Sequence, residues 1–306
     1  MYVSDVAEAH VAETGRAEAG IAEAGRAGDG QSVAAWRPAV AGVREVFHAR
    51  FVSHVYPPHT HDSWTLLIVD TGAVRYGLDR REHGTLRSQV SLLPPDVPHD
   101  GRSATPGGFR KRVLYLDRHV LGDELIGPAV DTPTLADPAL RRRIARLHGL
   151  LLTPGEDLAA QSGLALVGGR LRTHLARRGS PARRDASPPP RRDPSVAHAL
   201  RDLLDSRVTE GIPLAAAAEL LGVHPTHLIR AFHQEFGLPP HRYLTGRRVD
   251  LARRLLLAGH RPAEVAALAG FYDQAHLTRH FHRMLATSPA RYAKVVPPHG
   301  TLRSPR

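Results

Sequence analysis

Between Val43 and Asp117 apolar and polar positions alternate in short runs separated by turn residues. VREVFHARFVSHVY, WTLLIVD, AVRYGLD, TLRSQVSLL and FRKRVLYLD are each rich in the β-branched and aromatic residues that strands favour. Their separators PPH, TG, DRREHG, PPDVPHDG and TPGG are turn chemistry. Five or more short strands at this spacing predict a small antiparallel sandwich or barrel. Beyond Arg118 the period lengthens. Pro138–Leu152 and Asp157–Arg178 carry apolar residues three and four apart, which predicts two amphipathic helices. From Ser195, itself a candidate cap, nearly everything has helical spacing. Pro213, Pro225, Pro240 and Pro262 open helices, Gly222, Gly237, Gly259 and Gly270 close them, and Asp273 caps the last.

Two tracts break the pattern. Residues 1–33, dominated by Ala, Glu and Gly, carry too little apolar surface to repay ordering and predict a disordered tail. GSPARRDASPPPRRDPS, residues 179–195, predicts an extended, semi-rigid spacer. The expected class is α+β multidomain. A barrel with trailing helices fills 34–178, the linker 179–195, an all-α domain 196–294 and a short tail 295–306.

Charge sharpens this division. Residues 1–176 hold 20 Lys and Arg against 20 Asp and Glu, residues 177–194 hold 6 against 2, and residues 195–306 hold 15 against 8. The whole excess of +11 lies in the linker and helical domain, which points to a polyanionic partner. The chain has no cysteine, so disulfides, thiolate metal sites and a cysteine nucleophile are excluded. No apolar run reaches the roughly 18 residues of a membrane helix. The N-terminus lacks the charged and apolar regions of a signal peptide, so a cytoplasmic protein with no membrane partner is expected.

The helical domain repeats itself. HLIRAFHQEFGLPPHRY, 227–243, and HLTRHFHRMLATSPARY, 276–292, are identical at eight of seventeen positions without a gap. In each copy a short Ala/Leu helix, a Gly-containing turn and a helix of form H-L-x-R-x-F make a helix-turn-helix. Leu228, Phe232 and Phe236 share one face of the second helix, as do Leu277, Phe281 and Leu285. The opposite faces offer Thr226, Ile229, Arg230 and His233, then Gln274, Thr278, Arg279 and His282. Arginine, glutamine and hydroxyl side chains on an exposed helix are what base edges in the major groove require. RNA readers need stacking aromatics, and none interleave these faces.

LAAAAELLGVHPTHLIRAFHQEFGLPPHRYL, RRVDLARRLLLAG and EVAALAGFYDQAHLTRHFHRMLATSPARY together resemble the C-terminal domain of AraC/XylS-type transcription regulators. The resemblance implies a seven-helix domain with two helix-turn-helix units joined by a helix around Tyr243–Leu257. It implies recognition helices at Pro225–Phe236 and Asp273–Leu285, with Thr226, Ile229, Arg230, Gln274, Ala275, Thr278 and Arg279 toward DNA. His224 stands where the family places a capping Ser, so a weaker start is expected for the first recognition helix.

HTHDSWTLLIVDTG and LLPPDVPH resemble the two motifs of the cupin-like sensor domain that precedes such DNA-binding domains. Metal-binding cupins use histidines and a Glu, whose place falls near Thr65 here. His59, His61 and His99 are therefore a weak metal set, and the expectation is an organic effector, with no metal and no cofactor. Trp64, Tyr76, Arg112 and Tyr115, also on predicted strands, are candidates for the pocket wall. The partners implied are double-stranded DNA, a small-molecule effector, RNA polymerase and a second copy through the helices of 138–178. The alternative is a metal-dependent cupin enzyme tethered to a DNA-binding module. An alkyl-transfer repair protein with this DNA-binding domain would need a thiol. A regulator, not an enzyme, is the expected function.

Overall fold

The computed structural model describes residues 31–178 and 194–293. The predicted tails and linker, in their stretches 1–30, 179–193 and 294–306, lie outside the described residues. The alternating segments form ten strands: β1 (Ser32–Trp36), β2 (Val43–Phe51), β3 (Val55–His59), β4 (Trp64–Thr71), β5 (Val74–Leu78), β6 (Arg81–Thr85), β7 (Val90–Leu93), β8 (His99–Ser103), β9 (Phe109–Leu116) and β10 (Thr134–Leu135). They build two antiparallel sheets, β1-β2-β9-β4-β7-β10 and β3-β8-β5-β6, facing each other as a barrel.

Four strands lie where the sequence predicted none: β1, β6, β8 and the two-residue β10. β1 begins inside the expected tail, because Ser32–Trp36 pairs with Arg50–Val46 of β2. β6 and β8 fall in the separators DRREHG and PPDVPHDG. Both belong to the smaller sheet, whose outer face is solvated and held by exposed pairs of Arg75 and Arg102 with Glu82. Glu82, Gly84 and Arg102 in these stretches look like turn residues but are the outer face of a sheet with one wet side.

The larger sheet is buried on both faces. Trp64, Leu66, Ile68, Leu114 and Leu116 point outward under helices α1 (Arg118–Leu121), α2 (Ile126–Asp131), α3 (Pro138–Leu150) and α4 (Asp157–Arg178). Leu67, Val69, Val113 and Tyr115 point into the barrel with Phe47, Phe51 and Phe109. A register shift between Val43 and Glu45 reverses the alternation of β2. Val43 and Val46 thus join the outer core, while Glu45 is turned to the barrel side, the kind of re-aiming a bulge provides.

The C-terminal domain has the expected seven helices: α5 (Pro194–Ser206), α6 (Leu214–Leu220), α7 (Pro225–Phe236), α8 (Pro240–Leu257), α9 (Pro262–Leu268), α10 (Gln274–Leu285) and α11 (Pro289–Ala293). Helix α5 starts at Pro194, one residue before the predicted cap Ser195. Helix α7 ends on Gly237 at φ 68°, and the second copy keeps that left-handed turn with Ala286 at φ 53°. The two repeats have different neighbours. The first builds its own core from Leu200, Leu204, Leu228, Phe232, Phe236 and Tyr243. The second shares one continuous core with the barrel interior, through Val249, Leu256, Phe281, Met284 and Tyr292.

The repeated tyrosines record this difference. Tyr243 and Tyr292 are fully buried, edge-on to Phe232 and Phe281 at 5.5 and 5.1 Å. The Tyr243 hydroxyl donates to Asp205 of its own domain at 2.8 Å, whereas that of Tyr292 donates to Glu45 of the barrel.

Candidate DNA interface and effector site

Leu228, Phe232 and Phe236 of α7 are buried, and so are Leu277, Phe281 and Leu285 of α10. Packing of these side chains turns Thr226, Ile229 and Arg230, and likewise Gln274, Ala275 and Arg279, to the exposed face, with Thr278 half-buried beside them. The Thr278 hydroxyl donates to the Gln274 carbonyl at 2.8 Å, which commits its one proton within the helix. Helix α10 docks on the barrel through its C-terminal end, where the Met284 carbonyl lies 3.2 Å from the His54 ring. Its N-terminal half, the part a major groove admits first, stays free.

The two helices start differently. Asp273 accepts from the His276 N–H at 2.6 Å. His224 also caps, with its ring nitrogen accepting from the Thr226 N–H at 3.3 Å. A long bond to a ring nitrogen is worth less than a short one to a carboxylate at a helix N-terminus. Asp273→Ala is therefore expected to cost about 1 kcal/mol in thermal unfolding, and His224→Ala only a few tenths. Equal costs would contradict this ranking.

At the barrel mouth, α8 closes over the strands and leaves a cavity of about 500 Å³ lined by both domains, including Arg44, Glu45, His61 and Tyr115 from one side and Asp250 and Arg253 from the other. Arg253, 3% exposed, donates to Glu45 at 2.7 Å, to Asp250 at 3.2 Å and to the Tyr292 hydroxyl at 3.1 Å. Its guanidinium lies 4.2 Å from the centre of the Tyr115 ring. Burial is the largest single influence on Arg253 and opposes its charge, but Glu45, the phenols of Tyr115 and Tyr292, and Asp250 together outweigh it and keep the side chain cationic. Around the rim, Asp62 binds Arg44 at 2.7 Å, Arg247 at 3.3 Å and Arg254 at 3.4 Å. Burial disfavours the Asp62 anion, yet these arginines hold its pKa well below the usual carboxylate range.

Inside, His59 and His99 are direct cross-strand partners on β3 and β8, and His61 lies just past the end of β3. Their rings are 4.4 to 5.2 Å apart. Burial holds His99 down to about 3 and pushes His59 the same way, so both rings are neutral. The Lys111 amine sits 4.1 Å from the Tyr56 ring centre, and burial, with Arg253 nearby, lowers its pKa to about 7. Among the described residues, the buried hydroxyls of Tyr56 and Thr65 have no hydrogen-bond partner.

The predicted pocket residues divide. His61 and Tyr115 line the mouth cavity, and His59 and His99 stand beside His61. Tyr76 faces the barrel core, but its hydroxyl is committed to Thr134 at 2.9 Å and Ser91 at 3.3 Å. Trp64 and Arg112 are not in the barrel. They have the outward parity of β4 and β9, Trp64 under the helices and Arg112 in a two-bond pair with Asp70 at 2.7 and 2.9 Å. Glu45, Asp62, Asp250 and Arg253 went unpredicted. A signal for the last two was present: they share one stripe of α8 with Val249, Ala252 and Leu256, and charges on an apolar stripe need partners.

A model of the AraC-like ligand binding domain matches residues 42–167, and a helix-turn-helix domain model matches residues 217–294. The uncharacterized HTH-type transcriptional regulator YbfI of Bacillus subtilis is 34% identical over 76 residues, which is 25% of this chain and only 28% of the relative. The arabinose operon regulatory protein of Salmonella typhimurium is 24% identical over 209 residues, 66% of this chain and 73% of the relative. ToxT from Vibrio cholerae, solved bound to an unsaturated fatty acid, is similar in fold, with a TM-score of 0.55, 13% identity and coverage of 89% of this chain and 98% of that one.

Proposed function

The chain belongs to the AraC-type transcription regulators by its paired ligand-binding and helix-turn-helix domains, and from that premise we propose that it reads two adjacent segments of double-stranded DNA under the control of a small effector bound at the barrel mouth. The observation that carries this is the position of α8. That one helix joins the two recognition units and also covers the cavity, so a molecule bound there touches the element that sets their relative orientation. Arg230 and Arg279 occupy equivalent, exposed places, and each can form a bidentate pair with guanine. RNA polymerase is the further partner that transcription control implies. Leu158 and Leu166, exposed at 76% and 59% on α4, support pairing of two copies there. The tethered-enzyme alternative gains nothing from the cavity, since Thr65 stands where a metal-binding cupin places its Glu.

The test is recovery of fragmented genomic duplex by the purified full-length chain, followed by protection mapping. A few discrete fragments should bind roughly 10³-fold or more above bulk DNA. Even retention of all fragments, falling with salt alone, would overturn the proposal.

A further inference from the structure

His59, His61 and His99 each offer a ring nitrogen, and the three lie within 4.8 Å of one another. Their other nitrogens are all engaged. His59 Nδ1 is 2.7 Å from the Pro57 carbonyl, and His99 Nδ1 is 3.0 Å from the Val97 carbonyl. His61 Nδ1 is 2.9 and 3.0 Å from the two Asp250 oxygens. Carbonyl and carboxylate oxygens only accept, so all three rings donate from Nδ1, and Nε2 is the ring nitrogen left to a further partner. Metal-ligating histidines are held in this way, with the second ring N–H given to a carbonyl or carboxylate that fixes the tautomer and raises ligand basicity.

We infer that the Nε2 atoms of His59, His61 and His99 bind one divalent transition-metal ion, and that Asp250, supplied by the DNA-binding domain, couples its binding to the docking of α8 on the barrel. An all-imidazole set suits zinc, nickel, copper or iron(II) over magnesium or calcium. Three protein ligands leave a position open, and His61 borders the mouth cavity from which an effector would reach it. The expectation of no metal rested on the missing Glu near Thr65. Asp250, 189 residues from His61 in sequence, supplies the carboxylate from outside the ligand shell instead. A cation on His61 strengthens its Nδ1–H as a donor to Asp250. Metal therefore favours the docked domains, and docking favours metal by the same factor.

The experiment uses full-length chain freed of metal by chelation and titrated with Co²⁺, followed by its visible absorption and by elemental analysis. Saturation is expected at about one equivalent, with displacement by Zn²⁺ and loss of the band in His59→Ala/His99→Ala. Asp250→Asn, nearly isosteric, should retain the band and weaken Co²⁺ binding by about 10–100-fold. A wild-type chain without a saturable band overturns the site. Unchanged Co²⁺ affinity in Asp250→Asn overturns the coupling. Only the consequence at DNA rests on the regulator proposal. In wild type, metal should change the affinity for a recovered genomic fragment, and the change should shrink in Asp250→Asn. Specific DNA binding without a Co²⁺ band sinks this inference alone. A Co²⁺ band in a chain that retains no duplex sinks the regulator proposal alone.

Discussion

Arg253→Ala is expected to destabilise the full chain by about 3–5 kcal/mol, the largest single-residue effect in the molecule. The substitution removes a cation that meets Glu45 at 2.7 Å and Asp250 at 3.2 Å, both in buried surroundings. The loss is large because two buried carboxylates lose their cation, and not because the ion pair itself is strongly favourable. It follows that Glu45→Gln/Arg253→Met, which removes that pair of charges and keeps the volume, should recover the part of the deficit that Glu45 causes. Urea unfolding followed by the fluorescence of Trp36 and Trp64, both in the barrel domain, reports the effect. A loss below about 1 kcal/mol in the single variant would mean that water reaches the pair and that the domains are less closely docked than described.

Mild acid should destabilise the barrel through a second buried pair, on the opposite face of the larger sheet. His48 of β2 and His148 of α3 lie 3.1 Å apart, ring nitrogen to ring nitrogen, and neither has a carboxylate partner among the described residues. Burial, with Arg112 beside them, lowers His48 to about 3 and His148 in the same direction. Both are neutral when folded and take a proton near pH 6.5 when unfolded, so the unfolded chain binds more protons below that value and stability falls as pH falls. Between pH 7.5 and 5.5 each group contributes a loss of about 1.4 kcal/mol, or about 2–3 kcal/mol together. His48→Gln/His148→Leu should reduce the slope over that range by this pair's share, leaving the share of the buried His59 and His99. An unchanged slope in the variant would show that the pair does not govern it.

The helical domain was legible because its signals are local. Proline and glycine punctuate the helices, and the Leu/Phe spacing of each copy assigns its inner face without knowledge of any neighbour. The barrel was legible only in part. β6 and β8 looked like turns because one face of their sheet is wet. Trp64 and Arg112 were assigned to the pocket because a sheet buried on both faces does not reveal which parity points inward. Least legible was the junction of the domains. Arg253 and Glu45 are 208 residues apart, and no period or motif connects them. The histidines were found from sequence, but the partners of their Nδ1 atoms, Pro57, Val97 and Asp250, are set by the fold.

The most direct measurement selects preferred duplexes from a random pool with the full-length chain and with its Arg230→Ala and Arg279→Ala variants. Two equivalent recognition helices held by α8 should select two short elements about 10–10.5 base pairs apart on one face of the duplex. Each variant should lose preference within a different element and keep it in the other, at about 1–3 kcal/mol per lost base contact. Arg279→Ala should have the larger effect, since Asp273 holds its helix start at 2.6 Å while His224 holds the other at 3.3 Å. Uniform weakening by both variants, with the selected sequence unchanged, would make both arginines phosphate contacts and would contradict direct reading of DNA by the repeat.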